Sequence, residues 1–300
     1  MTIALQTQQL LEDAFTGLEV PFICGLHLPP SPWNQTRDGE FGAIELDDAT
    51  VGLFYVLLDD TLATLTQPHH RESVIGRDAL SVASWWAHET GIRRTIGFAA
   101  VNALSRHLLN RCKFSPPTAD DSIGGLNPRA GEHIGMIGLF PSLTKQVVGA
   151  GAKLTVLELR SQLAGDHSDF RVTLNPADLT SCDKILSTST VLLNNSFDSL
   201  WPHFAKVKEI ALIGPGASCL PDSLFARGIT AMGGTWIENT PEFVNALVTG
   251  EPWSKDFARK FTLRSDAYPG IDSLLRYLNE SMPRNKNYPG NFFDSQRKNA

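Results

Sequence analysis

Cysteine is scarce in this 300-residue chain, with four residues, Cys24, Cys112, Cys182 and Cys219, and no CxxC pair among them. That spacing argues against a structural zinc site and leaves the thiols as small buried hydrophobes of a reducing compartment. A basic surplus is also missing, since 26 Lys and Arg stand against 32 Asp and Glu for a formal charge of −6. Neither nucleic acid nor an anionic membrane surface is therefore an expected partner. No stretch reaches the ~18 consecutive apolar residues of a membrane span. The opening MTIALQTQQLLEDAF has no basic n-region, so a cytoplasmic location is expected. GxSxG, HExxH, P-loop and kinase signatures are all absent, which leaves open whether the chain is an enzyme.

What is present describes a folded protein: 42% hydrophobic and 19% charged residues. A single core rarely grows much beyond ~250 residues, so two domains are expected. Residues 4–16 carry helical spacing and end at Gly17. Three β-rich runs follow at 19–28, 41–46 and 50–58, the last two spaced as a hairpin. Helical patterns at 77–89 and 91–110 complete an α+β unit over residues 1–112, with Ala99, Ala100, Ala103 and Leu104 on a closely packed face. Residues 113–131 gather proline, glycine and acidic residues as a linker does.

Beyond the linker, short apolar runs at 133–140, 153–159, 184–188, 209–214 and 228–234 alternate with helical stretches at 142–150, 176–181, 196–206, 221–227 and 240–249. This is the pattern of a Rossmann-like, mainly parallel sheet over 132–253. The remainder, 254–300, reads as a C-terminal extension with one helical run at 271–280 and a terminal Phe292–Phe293 pair suited to packing on the core or a partner.

In such a sheet, ligands bind where strands end and helices begin. Five loops follow. In GLFPSLT, Gly138 permits close approach while Pro141 and Ser142 start a helix. The loop is not GxGxxG, which disfavours an ordinary dinucleotide but leaves room for a small anion or a plain packed turn. Glu158 ends the second strand, where an acidic residue reaches ribose hydroxyls or simply pairs with Arg160. After the third strand, Thr188 and Asn194 offer neutral donors and acceptors, and Ser196 suits a helix cap. Gly214 and Pro215 form a turn after the fourth, and Trp236 and Glu238 lie at the end of the fifth, where the indole could cover a flat ligand. The metal-ligand candidates are Cys219, alone just past Gly216, and His70, in a polar loop beside His69. For both, a packed cysteine and a surface histidine are the plainer readings.

The segments IGMIGLFPSLTKQVVGAGAKLTVLELR, TSTVLLNNSFDSL and IALIGPGASCLPDSLFARGITAMGGTWIENTPE resemble, in order and spacing, a bacterial and archaeal family named for heavy-metal chelation. AIELDDATVGLFYVL and RRTIGFAAVNALSRHLL resemble the enolase N-terminal-like domain that precedes its Rossmann-like domain. The resemblance covers roughly residues 10 to 253. It implies a ligand held between the two domains, and matches Asn102, Thr188, Asn194, Gly214 and Pro215 to family positions; Cys219 is outside the pattern.

Two functions fit. One is a protein that binds a metal chelate or small flat polar ligand in the interdomain cleft, in metal or cofactor handling. The other is an S-adenosylmethionine- or nucleotide-dependent enzyme of a specialised biosynthetic pathway. A metal ion or S-adenosylmethionine is the cofactor these readings admit, a small molecule is the expected partner, and a homo-oligomer is compatible with either.

Overall fold

Thr2 opens the first helix, α1 (Ile3–Ala14), by accepting the Leu5 N–H on its side chain. Ile3, Leu11 and Ala14 bury the face that the spacing marks. The structure is a computed structural model and describes residues 1–32, 36 and 38–281, so Phe292 and Phe293 lie outside the described residues.

Strands β1 (Ile23–His27), β2 (Phe41–Leu46) and β3 (Val51–Tyr55) form an antiparallel sheet in chain order. Four short helices follow: α2 (Thr61–Leu65), α3 (Pro68–Glu72), α4 (Ala79–Ala83) and α5 (Trp85–His88). The run at 77–89 is thus two helices that meet at Ser84, whose hydroxyl turns back to the Ser81 carbonyl. The 21-residue α6 (Gly91–Arg111) then crosses the small sheet. It comes so close to β3 that a Cβ on Gly52 would collide with the Ala99 carbonyl oxygen and the Ala103 nitrogen. Ala99 and Ala103 are the small residues that the sequence placed on a tightly packed face.

The larger sheet has eight strands in the order β11-β10-β9-β8-β4-β5-β7-β6. These are β4 (His133–Ile137), β5 (Lys153–Leu157), β6 (Gly165–Asp166), β7 (Arg171–Thr173), β8 (Lys184–Thr188), β9 (Glu209–Ile213), β10 (Ala231–Ile237) and β11 (Ala258–Arg264). The six inner strands are parallel, while β6 and β11 close the edges antiparallel. The connecting helices are α7 (Pro141–Gly149), α8 (Thr190–Leu193), α9 (Phe197–Leu200), α10 (Asp222–Phe225) and α11 (Thr240–Thr249), and α12 (Ile271–Ser281) follows β11. The fold is mixed α/β, a mainly parallel sheet preceded by a smaller antiparallel one.

Several local readings change. The stretch expected as a helix at 176–181 is a 3₁₀ turn at Pro176–Leu179. The expected helix at 196–206 is α9 followed by a 3₁₀ turn at Trp201–His203, because Pro202 has no N–H with which to continue the ladder. The β6–β7 hairpin fills a stretch between β5 and β8 that had no assigned element. Part of the segment taken as an extension is β11, which pairs with β10 at seven positions from Ala231↔Arg264 to Ile237↔Ala258. Charged Arg259 interrupts its alternation, as an edge strand tolerates.

Candidate functional site

The chain leaves β4 on one side through β5 and β7, then returns to β8 on the other side of β4. This makes the carboxyl ends of β4 and β8 the topological switch point. How much of the sheet's carboxyl edge is open depends on α6.

Arg94, Asn102 and Arg106 fall within an arc of about 120° around that helix, given about 100° per residue. Arg94 donates from Nε and Nη2 to the carbonyls of Leu193 (3.0 Å) and Leu192 (3.1 Å), in the helix after β8. Asn102 Nδ2 donates to Leu53 O in β3 (2.8 Å) and to Gly216 O after β9 (3.0 Å). Ser105 Oγ accepts the Leu220 N–H at 2.9 Å. Arg106 Nη2 donates to Ile237 O at the end of β10 (3.1 Å), with its guanidinium over the Trp236 ring. Burial pushes the Arg106 guanidinium down to about 9, against the opposing pull of Glu238. In this way α6 takes up carbonyls at the end of α8 and beyond β9 and β10, and covers the β9 and β10 ends of the edge.

Two expected contacts are thereby accounted for differently. Trp236 is 5% exposed with Arg106 on its ring, so its face is not presented to a flat ligand, and Glu238 beside it pairs with Arg259. Asn102 is fully buried and joins β3 to the 214–216 turn instead of lining an open cleft.

The ends of β4, β5 and β8 remain uncovered by α6. Gly138 leaves β4 with φ of 82°, and a Cβ there would lie 3.1 Å from Thr188 Cγ2, so the glycine lets the two loops meet. Pro141 and Ser142 are exposed in the first turn of α7. Glu158 Oε2 accepts the Leu139 N–H (3.2 Å) and Arg160 Nη2 (3.3 Å), while Oε1 accepts the Leu159 N–H (2.8 Å). Burial opposes its ionisation, but these bonds outweigh it and hold the carboxyl below the usual carboxylate range.

Thr188 is half-buried and bonds through its hydroxyl to the Thr190 hydroxyl and N–H. Asn194 Oδ1 accepts the Ser196 N–H and hydroxyl, so its carbonyl end shapes the turn before α9. Gly214 has φ of 142°, and a Cβ there would lie 2.5 Å from Ser189 Oγ. Pro215 is half-buried, and its carbonyl accepts the Thr235 N–H at 3.4 Å.

Near the Glu158 loop lies a residue that the sequence reading did not single out. Tyr55 ends β3, packs edge-on against Phe41 and is half-buried; burial pushes its hydroxyl up, and Glu40, Arg160 and Glu158 lie close enough to act on it. A tyrosine at the end of an apolar strand carries no signal of its own in sequence. Only the apposition of the two sheets brings it to the Glu158 loop.

The donor set does not fit a resident bare metal ion. Among the described residues no group of three or more His, Cys, Asp or Glu is gathered to hold one. Cys219 is buried with its thiol pushed up to about 12 by burial, against a small internal cavity of about 20 Å³ shared with Arg106 and Trp236. His70 lies on α3 against the His69 ring, at 4.0 Å between centroids. The two metal candidates do not form one site.

Family comparisons agree with this architecture. A model named DUF4213 matches residues 40–105 and another named DUF364 matches residues 122–262, both described as "Putative heavy-metal chelation". The chain belongs to this heavy-metal chelation family. A DUF364 protein of unknown function from Desulfitobacterium hafniense DCB-2 is similar in fold, with a TM-score of 0.63 at 16% identity over 87% of this chain and 99% of that one. Another, from Pyrococcus horikoshii, has a TM-score of 0.63 at 16% identity over 88% of this chain and all of its own. At that identity the likeness speaks for the family's fold alone. No curated protein matches the chain. Among the described residues no helix is long and apolar enough to cross a membrane.

Proposed function

We propose that this member of the heavy-metal chelation family binds a metal chelate or a small flat polar ligand between Tyr55 and the ends of β4, β5 and β8, as a step in metal or cofactor handling. The observation that carries this reading is the closure of the β9 and β10 ends by α6, which leaves the switch point as the open part of the edge. The family description adds the metal, and the lack of a gathered donor set among the described residues argues that the metal arrives inside its chelate as cargo. Thr188, Thr190 and the turns at Gly138 and Gly214 offer neutral polar groups, which receive a polar ligand without burying a new charge. Glu158 is engaged by Leu139, Leu159 and Arg160, so it lends no support to a ribose contact or to an S-adenosylmethionine enzyme.

Non-denaturing mass spectrometry with metal analysis tests the reading on the full chain, after incubation with a small-molecule extract of bacterial cells. A bound mass containing metal is expected on the wild type and is expected to be lost in Thr188→Trp, which fills the cleft. A wild type that takes up no small molecule overturns the proposal.

A further inference from the structure

The covered part of the sheet edge is not solid. Where α6 meets the loop after β9 and the end of β10 lies the cavity of about 20 Å³, whose lining includes Val51, Arg106, Ser218, Cys219, Trp236 and Ile237. A void of that size holds one water molecule or one small ion. The polar groups around it include donors that lack an acceptor. Arg106 Nε donates to Asn110 Oδ1 (2.8 Å) and Nη2 to Ile237 O (3.1 Å), while Nη1 has no partner among the described residues. Among the same residues, the backbone N–H groups of Ser218 and Cys219 reach no acceptor on another residue, although Cys219 is 3% exposed. Buried backbone N–H groups are rarely left in that state, and successive ones can form an anion-binding concavity.

The Arg106 guanidinium also has no counterion in contact. Glu238 is engaged by Arg259 and Asp48 by His107, so both act on Arg106 only from a distance. Cys219 supplies no negative charge, since burial pushes its thiol up to about 12. Burial also pulls Arg106 down to about 9, as happens to a cation taken from water, and leaves it charged at neutral pH. A water molecule in the cavity accepts hydrogen bonds but has two protons of its own to place. An anion accepts from every donor and also answers the buried charge.

We propose that this cavity binds one monovalent anion of halide size, held by Arg106 Nη1 and the N–H groups of Ser218 and Cys219. The site lies at the covered β9 and β10 ends and does not depend on the ligand reading above. An ion there ties α6, which packs on the smaller sheet, to the loop after β9 of the larger one. Its occupancy therefore stabilises the junction of the two sheets.

Thermal unfolding of the full chain tests this at a constant ionic strength of about 0.15 M, with sodium gluconate replaced stepwise by sodium chloride or bromide. Gluconate is too large for the cavity. The unfolding midpoint is expected to rise with halide along a single-site saturation curve, because only the folded chain has the site. Arg106→Met should weaken the apparent halide affinity about tenfold or more, the loss expected for one charge-assisted bond. Arg106 also holds the Ile237 carbonyl, so Val51→Ile provides a second variant. Its added methylene takes up space at the cavity wall, so it should fold in gluconate as the wild type does and lose the halide response. Anomalous diffraction from crystals of the full chain grown in bromide should show a peak within hydrogen-bond distance of Arg106 Nη1. Water at that position in those crystals, a wild-type midpoint that ignores halide or rises without saturating, or a halide response undiminished in Val51→Ile overturns the proposal.

Discussion

Asn102 offers the sharpest test of how the two sheets are joined. Its side chain is fully buried, Nδ2 serves the carbonyls of Leu53 and Gly216, and Oδ1 has no partner among the described residues. Asn102→Ala strands two buried acceptors at about 1.5 kcal/mol each, and it removes an orphaned oxygen whose burial already costs about 1 kcal/mol, for a net loss of about 2 kcal/mol. At roughly 2–4 °C per kcal/mol for a protein of this size, the midpoint of thermal unfolding should fall by about 4–8 °C. Asn102→Asp keeps the shape but has no amide donors, and it sets a carboxyl against two carbonyls while retaining the orphaned oxygen. It should therefore unfold at a lower temperature than Asn102→Ala. Differential scanning calorimetry reads the order directly. If packing volume were all that mattered, the isosteric aspartate would be the milder change. An aspartate variant more stable than the alanine variant would refute the carbonyl clasp.

Gly52→Ala should prevent correct packing of β3 on α6, since the added carbon meets backbone atoms of Ala99 and Ala103 that cannot move separately; loss of soluble protein or of more than about 3 kcal/mol is expected, by urea unfolding. A chain ended before Ser254 loses β11 and exposes the paired edge of β10, so it should aggregate; a monomeric, folded product by light scattering would count against the edge-strand role. Because the Glu158 carboxyl is held below its ordinary value in the folded state, its ionisation contributes stability above the unfolded pKa of about 4.3, and that contribution is lost as pH falls through the lower folded value. The stability gap between wild type and Glu158→Gln should thus be present at neutral pH and narrow below about pH 4, and a gap that widens there would contradict the assignment.

The sequence was most legible where one physical rule acted alone. Apolar runs alternating with helical stretches gave β4, β5, β8, β9 and β10, and the small-residue face of α6 was read as a close-packing surface before its partner Gly52 was known. It was least legible where tertiary context decided. β11 is paired on one side only, and Arg259 breaks the start of its short alternation. The 196–206 region has helical spacing, yet Pro202 divides it. Glu158, Gly138 and Thr188 were singled out because strand ends are where ligands bind, and the fold places their loops side by side. Tyr55 was not found, because nothing in VGLFYVLL says which neighbour the end of that strand will face.

The failure to foresee the closed ends of β9 and β10 has the same origin. A helix buried on every side shows no polar face, so Arg94, Asn102 and Arg106 look like scattered polar residues in an apolar segment instead of a row aimed at carbonyls. Each is nonetheless tied to a different loop, and β3 is held by the same helix through Asn102 and the Gly52 contact. The position of Tyr55 relative to Glu158 is therefore set from α6, one layer behind the proposed ligand site. Tyr55 itself carries little of that framework, being half-buried with its ring against Phe41. It follows that Tyr55→Phe should alter ligand affinity with little change in the unfolding midpoint, whereas any substitution that breaks the α6 row should change both together.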